Sequence, residues 1–159
     1  MTTENCQLPW YSTLLGTSPD SSVFERFVRE FELTEDTSFM DRHFEGEAFG
    51  VSVTVRGGEV WAIQLMSDDV EEFNGFAGQL PLGLKFSHVR ADVLGLLGRP
   101  DHEMGARHPD RSYGHAGIYR YDLGTCWVAV SFSVGSDRIQ QVGLESRKCA
   151  ARFVGTAAR

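Results

Sequence analysis

Apolar positions along the chain follow two periods. Val23, Phe24, Phe27, Val28 and Phe31 recur at helical spacing with Glu25, Arg26, Arg29 and Glu30 outward, which predicts an amphipathic helix over residues 23–31. Ser22 with Glu25 forms the capping box that would open it. Ahead of it, Trp10, Tyr11, Leu14 and Leu15 predict a short helix ended by Gly16 and Pro19. Strict alternation then takes over: Val51, Val53 and Val55, a turn at residues 56–59, and a second strand over residues 60–65 predict a hairpin.

The second half repeats this order. In residues 80–100, Leu80, Leu82, Leu84 and Phe86 form an apolar extended lead-in, Ser87 can cap a helix, and Val89, Val93, Leu96 and Leu97 lie at helical spacing. Gly98 and Pro100 stop the helix. A strand follows over residues 118–123 with Tyr119 and Tyr121 on one face. Val128, Val130 and Phe132 alternate again, and a turn at 135–138 leads into residues 139–144 as a second hairpin. Residues 34–47, which include the isolated apolar anchors Phe39, Met40 and Phe44, and residues 101–117 are polar and lack periodicity, so both predict loops, the first with an extended end. The tail from residue 147 is small and basic.

Laid together, the halves correspond at a spacing near 80 residues: Leu14-Leu15-Gly16 answers Leu96-Leu97-Gly98. Val51, Val53 and Val55 answer Val128, Val130 and Phe132, and Ile63 and Leu65 answer Val142 and Leu144. The predicted fold is α+β: two tandem helix-plus-antiparallel-sheet units, residues 8–76 and 80–145, packed as one domain over residues 1–159. The sheet face turned from the helices would carry Ser52, Thr54, Ala62, Gln64, Ala129, Ser131, Ser133 and Gln141. These are small and uncharged where a solvated face usually carries Lys and Glu. They suit a smooth concave platform for a partner, or equally a surface set by strand propensity.

Charge sharpens the asymmetry between halves. Residues 1–80 hold fifteen acidic side chains against four arginines, and residues 81–159 hold seven against eleven basic ones, for a net charge of −7. Such an acidic half repels nucleic acid and attracts a basic protein. Cys6, Cys126 and Cys149 are odd in number with no short paired spacing, so neither a disulfide framework nor a zinc knuckle is expected. The first residues lack a positive region followed by an apolar one, and no stretch reaches the length of a spanning helix. These features predict a cytoplasmic protein with no membrane partner.

Chemistry-bearing motifs are few. His102, His108 and His115 fall in the loop of residues 101–117, but Gly105 and Pro109 argue against the helical i, i+4 spacing of a paired metal site. Asp101 and Glu103 read as surface charge. No nucleophile elbow, phosphate loop or dinucleotide fingerprint is present, so no catalytic residue, metal or cofactor is assigned. A small metal-assisted enzyme using the histidine loop, or an assembly and scaffold module, are the alternatives.

The pattern LPLGLKFSHVRADVLGLLGRPD, then YRYDLG, an alternating strand and RIQQVGL, resembles immunity proteins of bacterial polymorphic and contact-dependent toxin systems. In outline it is similar to the helix-plus-sheet module of the SmpA/OmlA lipoproteins and of the tandem beta-lactamase inhibitory proteins. The resemblance runs over residues 80–144 and in looser form over residues 8–76. It implies a two-unit protein that binds another protein through its sheet face or loops. The expectation is an immunity protein that occludes a cognate toxin without chemistry. A nuclease-type toxin with a basic active site would be met by Glu45, Glu47, Asp68, Asp69, Glu71 and Glu72 as phosphate mimics, with Trp61, Phe73 and Phe76 as aromatic anchors.

Overall fold

The structure is a computed structural model that describes residues 8–37, 40–110 and 114–148. In chain order it contains helix α1 (Ser22–Glu30), then strands β1 (Thr34–Asp36), β2 (Arg42–Gly46), β3 (Val51–Arg56) and β4 (Glu59–Met66). Helix α2 (Arg90–Leu97) and strands β5 (His102–Met104), β6 (Gly117–Asp122), β7 (Cys126–Phe132) and β8 (Ile139–Ser146) follow. Short 3-10 turns occupy Trp10–Leu14, Glu47–Phe49 and Pro81–Gly83. All eight strands join one antiparallel sheet in the order β1-β2-β3-β4-β8-β7-β6-β5, so the fold is mixed α and β but dominated by its sheet.

Both hairpins form where alternation places them, and they meet in the middle. β4 pairs with β8 so that Ile63 opposes Leu144 and Leu65 opposes Val142, and all four are fully buried. Val51, Val53, Val128, Val130 and Phe132 extend the same apolar face outward, each with no exposed surface. The helices cover this face. On α1, Phe24 packs edge-on against Phe44 of β2 at 5.2 Å, while Phe27 contacts the rings of Trp10, Tyr11 and Phe31. On α2, Val93 and Leu97 are buried. Arg90 lays its guanidinium over Phe132 at 4.6 Å and anchors to Asp137 at 2.7 Å. Because Tyr11, Leu14, Val53, Val130 and Leu144 belong to one continuous cluster, the core runs without a break from one half to the other.

Several local expectations are corrected. Residues 34–47 are not a loop: β1 and β2 lie there, registered as Glu35 to Phe44 and Phe44 to Val53. Only Phe44 of β2 enters the core, beside charged neighbours, and the short acidic strand β1 forms the edge beyond it, where charge resists further pairing. Residues 101–117 likewise supply the other edge strand, β5, which pairs His102 with Arg120 and Met104 with Ile118. The lead-in at residues 80–86 is a 3-10 turn rather than a strand, since Pro81 lacks a donor and Leu82 turns to φ 60°, yet Leu80, Leu82 and Leu84 are still buried. The cap of α1 is Ser21, not Ser22, and its hydroxyl accepts from Phe24 N at 3.2 Å. The α2 boundary is Val89 rather than Ser87, with the Asp92 carboxylate accepting from Val89 N at 3.0 Å. Cys126 is a buried free thiol, whereas Cys6, Phe39, Cys149 and residues 149–159 lie outside the described residues.

Gly50 closes the acidic end of the β3–β4 hairpin with φ +70°. A Cβ there would collide with the carbonyl of Asn74 and lie 2.7 Å from Phe76 N and 2.9 Å from Met66 O. Gly57 in the tip of the same hairpin has φ +59° with nothing near its missing Cβ. Gly57→Ala should therefore lose only the left-handed backbone penalty of about 1–2 kcal/mol, while Gly50→Ala should lose more than about 3 kcal/mol. Urea denaturation of the two variants checks the order.

Candidate functional site

The sheet face opposite the helices is where the chain concentrates uncovered polar chemistry. Its floor is small: Ala62 on β4, Ala129 on β7 and Gly143 on β8, where an added Cβ would meet Gln64 Oε1 at 3.5 Å and Ala129 Cβ at 3.8 Å. Around this floor opens a pocket of about 350 Å³, walled by Arg56 and Trp61 on one side and by His115, Ile118 and Arg120 on the other. Of the face expected from alternation, Thr54, Ala62, Gln64, Ala129, Ser131 and Gln141 line the pocket, and the charged side chains Arg56, Arg120 and Glu145 line it with them.

Two β-bulges add side chains that strict alternation does not place there. Between β3 and β4, Thr54 pairs with Ala62 and Val55 with Val60, so Trp61 is the extra residue. Between β7 and β8, Ser131 pairs with Gln141 and Phe132 with Ile139, so Gln140 is the extra residue. Each bulge occupies the corresponding place in its hairpin and sends its residue to the pocket. Trp61 lies under the Arg56 guanidinium at 4.7 Å, and Arg56 is held by both carboxylate oxygens of Asp41. That contact keeps the Asp41 carboxyl below its usual range. Gln140 donates to Gly114 O at 3.1 Å and to Ser131 Oγ at 3.2 Å, and Gln141 donates to Gln64 across the central strand pair.

Two charged groups lie deep in the wall. Arg120 Nε stands 3.3 Å from Glu145 Oε1, with both side chains under a tenth exposed. His115 lines the same end, and its imidazole is held below its ordinary pKa of 6.5, first by burial and then by Arg107, Arg120, His108 and Arg90. Further along the face, His43 Nε2 lies 3.0 Å from Glu45 Oε1 and 3.0 Å from Ser52 Oγ, and its Nδ1 is 3.4 Å from Thr54 Oγ1. This cluster fixes the β2 and β3 side of the face.

The residues singled out as partner contacts are divided by the fold. Trp61 is half-buried and belongs to the pocket. Phe76 is a core residue rather than an anchor, buried against Tyr11 and Phe31. Asp68, Asp69, Glu71 and Glu72 are exposed in the turn after β4, with Phe73 half-buried beside them, and Asp69 lies 3.6 Å from Arg138. That turn is tied to Glu47 by Asn74 N donating to Glu47 O at 2.8 Å. Glu45 and Glu47 also border a groove with Glu32, Glu35 and Asp36. His102, His108 and His115 are spread over β5, the following turn and the pocket. Among the described residues no group of three His, Cys, Asp or Glu is placed to hold a metal.

Sequence reasoning missed Arg56, Arg120, Glu145, Gln140 and the His43 cluster. A signal for the bulges existed: buried Val60 and Ile63, like Ile139 and Val142, are spaced by three where a regular strand spaces them by two.

No family model and no curated protein matches the chain. Among solved structures it is similar to a DUF4309 family protein, YjgB, from Bacillus subtilis, at 15% identity and a TM-score of 0.42. The match covers 72% of this chain and spans 64% of that protein.

The depressed His115 pKa carries a sign that can be measured. The unfolded chain takes up a proton near pH 6.5 and the folded one does so only at lower pH. Stability should therefore fall as pH drops below about 6.5 and level off once the folded-state value is passed. The stability difference between wild type and His115→Gln, followed by urea denaturation in steps from about pH 7.5 to about pH 5, should carry this slope, because the other titrating groups are common to both proteins.

Proposed function

We propose that this protein is an immunity protein that binds a cognate toxin and occludes it through the pocketed face of its sheet. The observation that carries the reading is the pocket itself: a small-residue floor in the middle of the sheet, left uncovered while the opposite face is sealed by both helices. A face meant only for solvent has no use for two bulges that bring Trp61 and Gln140 over that floor. Half-buried aromatic and arginine side chains such as Trp61 and Arg56 are the types that dominate binding energy in protein interfaces.

The strand order supports the tandem-unit reading. Outward from the centre it runs β4-β3-β2-β1 on one side and β8-β7-β6-β5 on the other, with one helix preceding each set. The pocket then straddles the join, as a binding face shared by two units would. The acidic end, with Glu47 and the turn carrying Asp68, Asp69, Glu71 and Glu72, sits away from the floor and acts as a steering surface toward a basic partner. No helix among the described residues is long and apolar enough to cross a membrane.

The test uses the protein encoded by the reading frame beside this gene, purified and titrated against the full chain. Ala129→Arg, which fills the floor, should weaken binding by about 100-fold through faster dissociation. Reversing Asp68, Asp69, Glu71 and Glu72 to lysine should slow association by about tenfold and flatten its salt dependence. If the reversal abolished binding while Ala129→Arg left it intact, the contact would lie at the acidic end and not on the sheet.

A further inference from the structure

Resting on the reading of the sheet face as the binding surface, we infer that its pocket accepts one acidic side chain at the tip of a loop of the partner protein. The charges lining the pocket are Arg56, Arg120 and Glu145. Glu145 is engaged with Arg120, and Asp41 holds Arg56 through both carboxylate oxygens from the β2 side, without lining the cavity. The neutral part of the lining is equally suited: Gln64, Gln141, Ser131 and Thr54 offer amide and hydroxyl groups able to donate to a carboxylate and to pair with the peptide groups flanking it.

The local field points the same way. At the β6 end burial first, and then the cations Arg107 and Arg120 with His108 and Arg90, hold the His115 imidazole below its ordinary pKa, although the chain as a whole carries −7. A carboxylate approaching this protein is repelled by the acidic end and is stabilised in the pocket. The cavity of about 350 Å³ has room for a single side chain with its neighbouring peptides, as the tip of a loop presents them. The occupant differs in sign from the basic partner surface that the acidic end would steer, so the partner would present an acidic tip within a basic surround.

Panning a disulfide-looped random peptide library on the immobilised full chain tests this, with Ala129→Arg as the counter-target. Loops retained by the wild type and released by Ala129→Arg should carry Asp or Glu at the tip. Replacing that residue by Asn or Gln in a synthetic loop should weaken binding to the wild-type protein by about tenfold or more, the loss expected for a charge-assisted hydrogen bond. That comparison needs no protein variant to fold. The paired change Arg120→Gln with Glu145→Gln, which keeps the wall neutral, should weaken the acidic loop and leave its amide counterpart unchanged. Loops that depend on the pocket but bind equally well with Asn or Gln at the tip would overturn the acidic occupant and leave the sheet face as the binding surface. Loops that bind wild type and Ala129→Arg alike, or no enrichment over a blank surface, would remove the surface and the inference together.

Discussion

The antiparallel pairing of β4 with β8 is the constraint on which the rest depends. Both are eight-residue strands in the centre of the sheet, and their register sets Ile63 against Leu144 and Leu65 against Val142. Because side chains alternate, the same register that buries those four residues places Gln64 beside Gly143 and Ala62 beside Glu145 on the other face. A slip by one residue would expose the core and bury the amides. The floor of the pocket is therefore as firmly determined as the core, although it contributes little apolar burial of its own.

On such a rigid sheet the bulges do what alternation alone cannot. A regular strand offers one side chain per two residues to a face. At Trp61 and Gln140 the extra residue gives adjacent positions, 61–62 and 140–141, to the same side. Small residues at 62, 129 and 143 make the depression, and the bulged residues raise its rim. Depth comes from what is missing at the floor as much as from what stands around it.

Much of this was legible in the chain. Both central hairpins, both helices, the buried stripe of α1 and the small residues of the open face follow from period and from stop signals such as Gly98. The edge strands did not, because β1 and β5 are three residues long and β2 sends only Phe44 inward. Their existence rests on main-chain pairing, which leaves little mark on side-chain pattern. The helix starts were missed by one or two residues for a similar reason: Ser21 and Ser22 are equally good caps on paper, and geometry chooses between them. The pocket walls stayed hidden because Arg56, Arg120 and Glu145 are ordinary surface residues by type, and only the register brings the last two together.

The Arg120–Glu145 pair is a costly way to build the wall of a sheet. Two charges under a tenth exposed are costly to desolvate, and apolar residues of the same volume would often hold a sheet as well or better. On the core face of β6 and β7, Tyr119, Tyr121, Val128 and Val130 already supply apolar burial. What it adds is a fixed guanidinium in a low-dielectric wall, oriented by its own carboxylate and framed by neutral amides. An incoming polar group meets donors that need little reorganisation. The stability forgone in the wall is spread over a continuous core that spans all of the central strands, and this is the arrangement in which a sheet can hold polar chemistry in its middle and still fold.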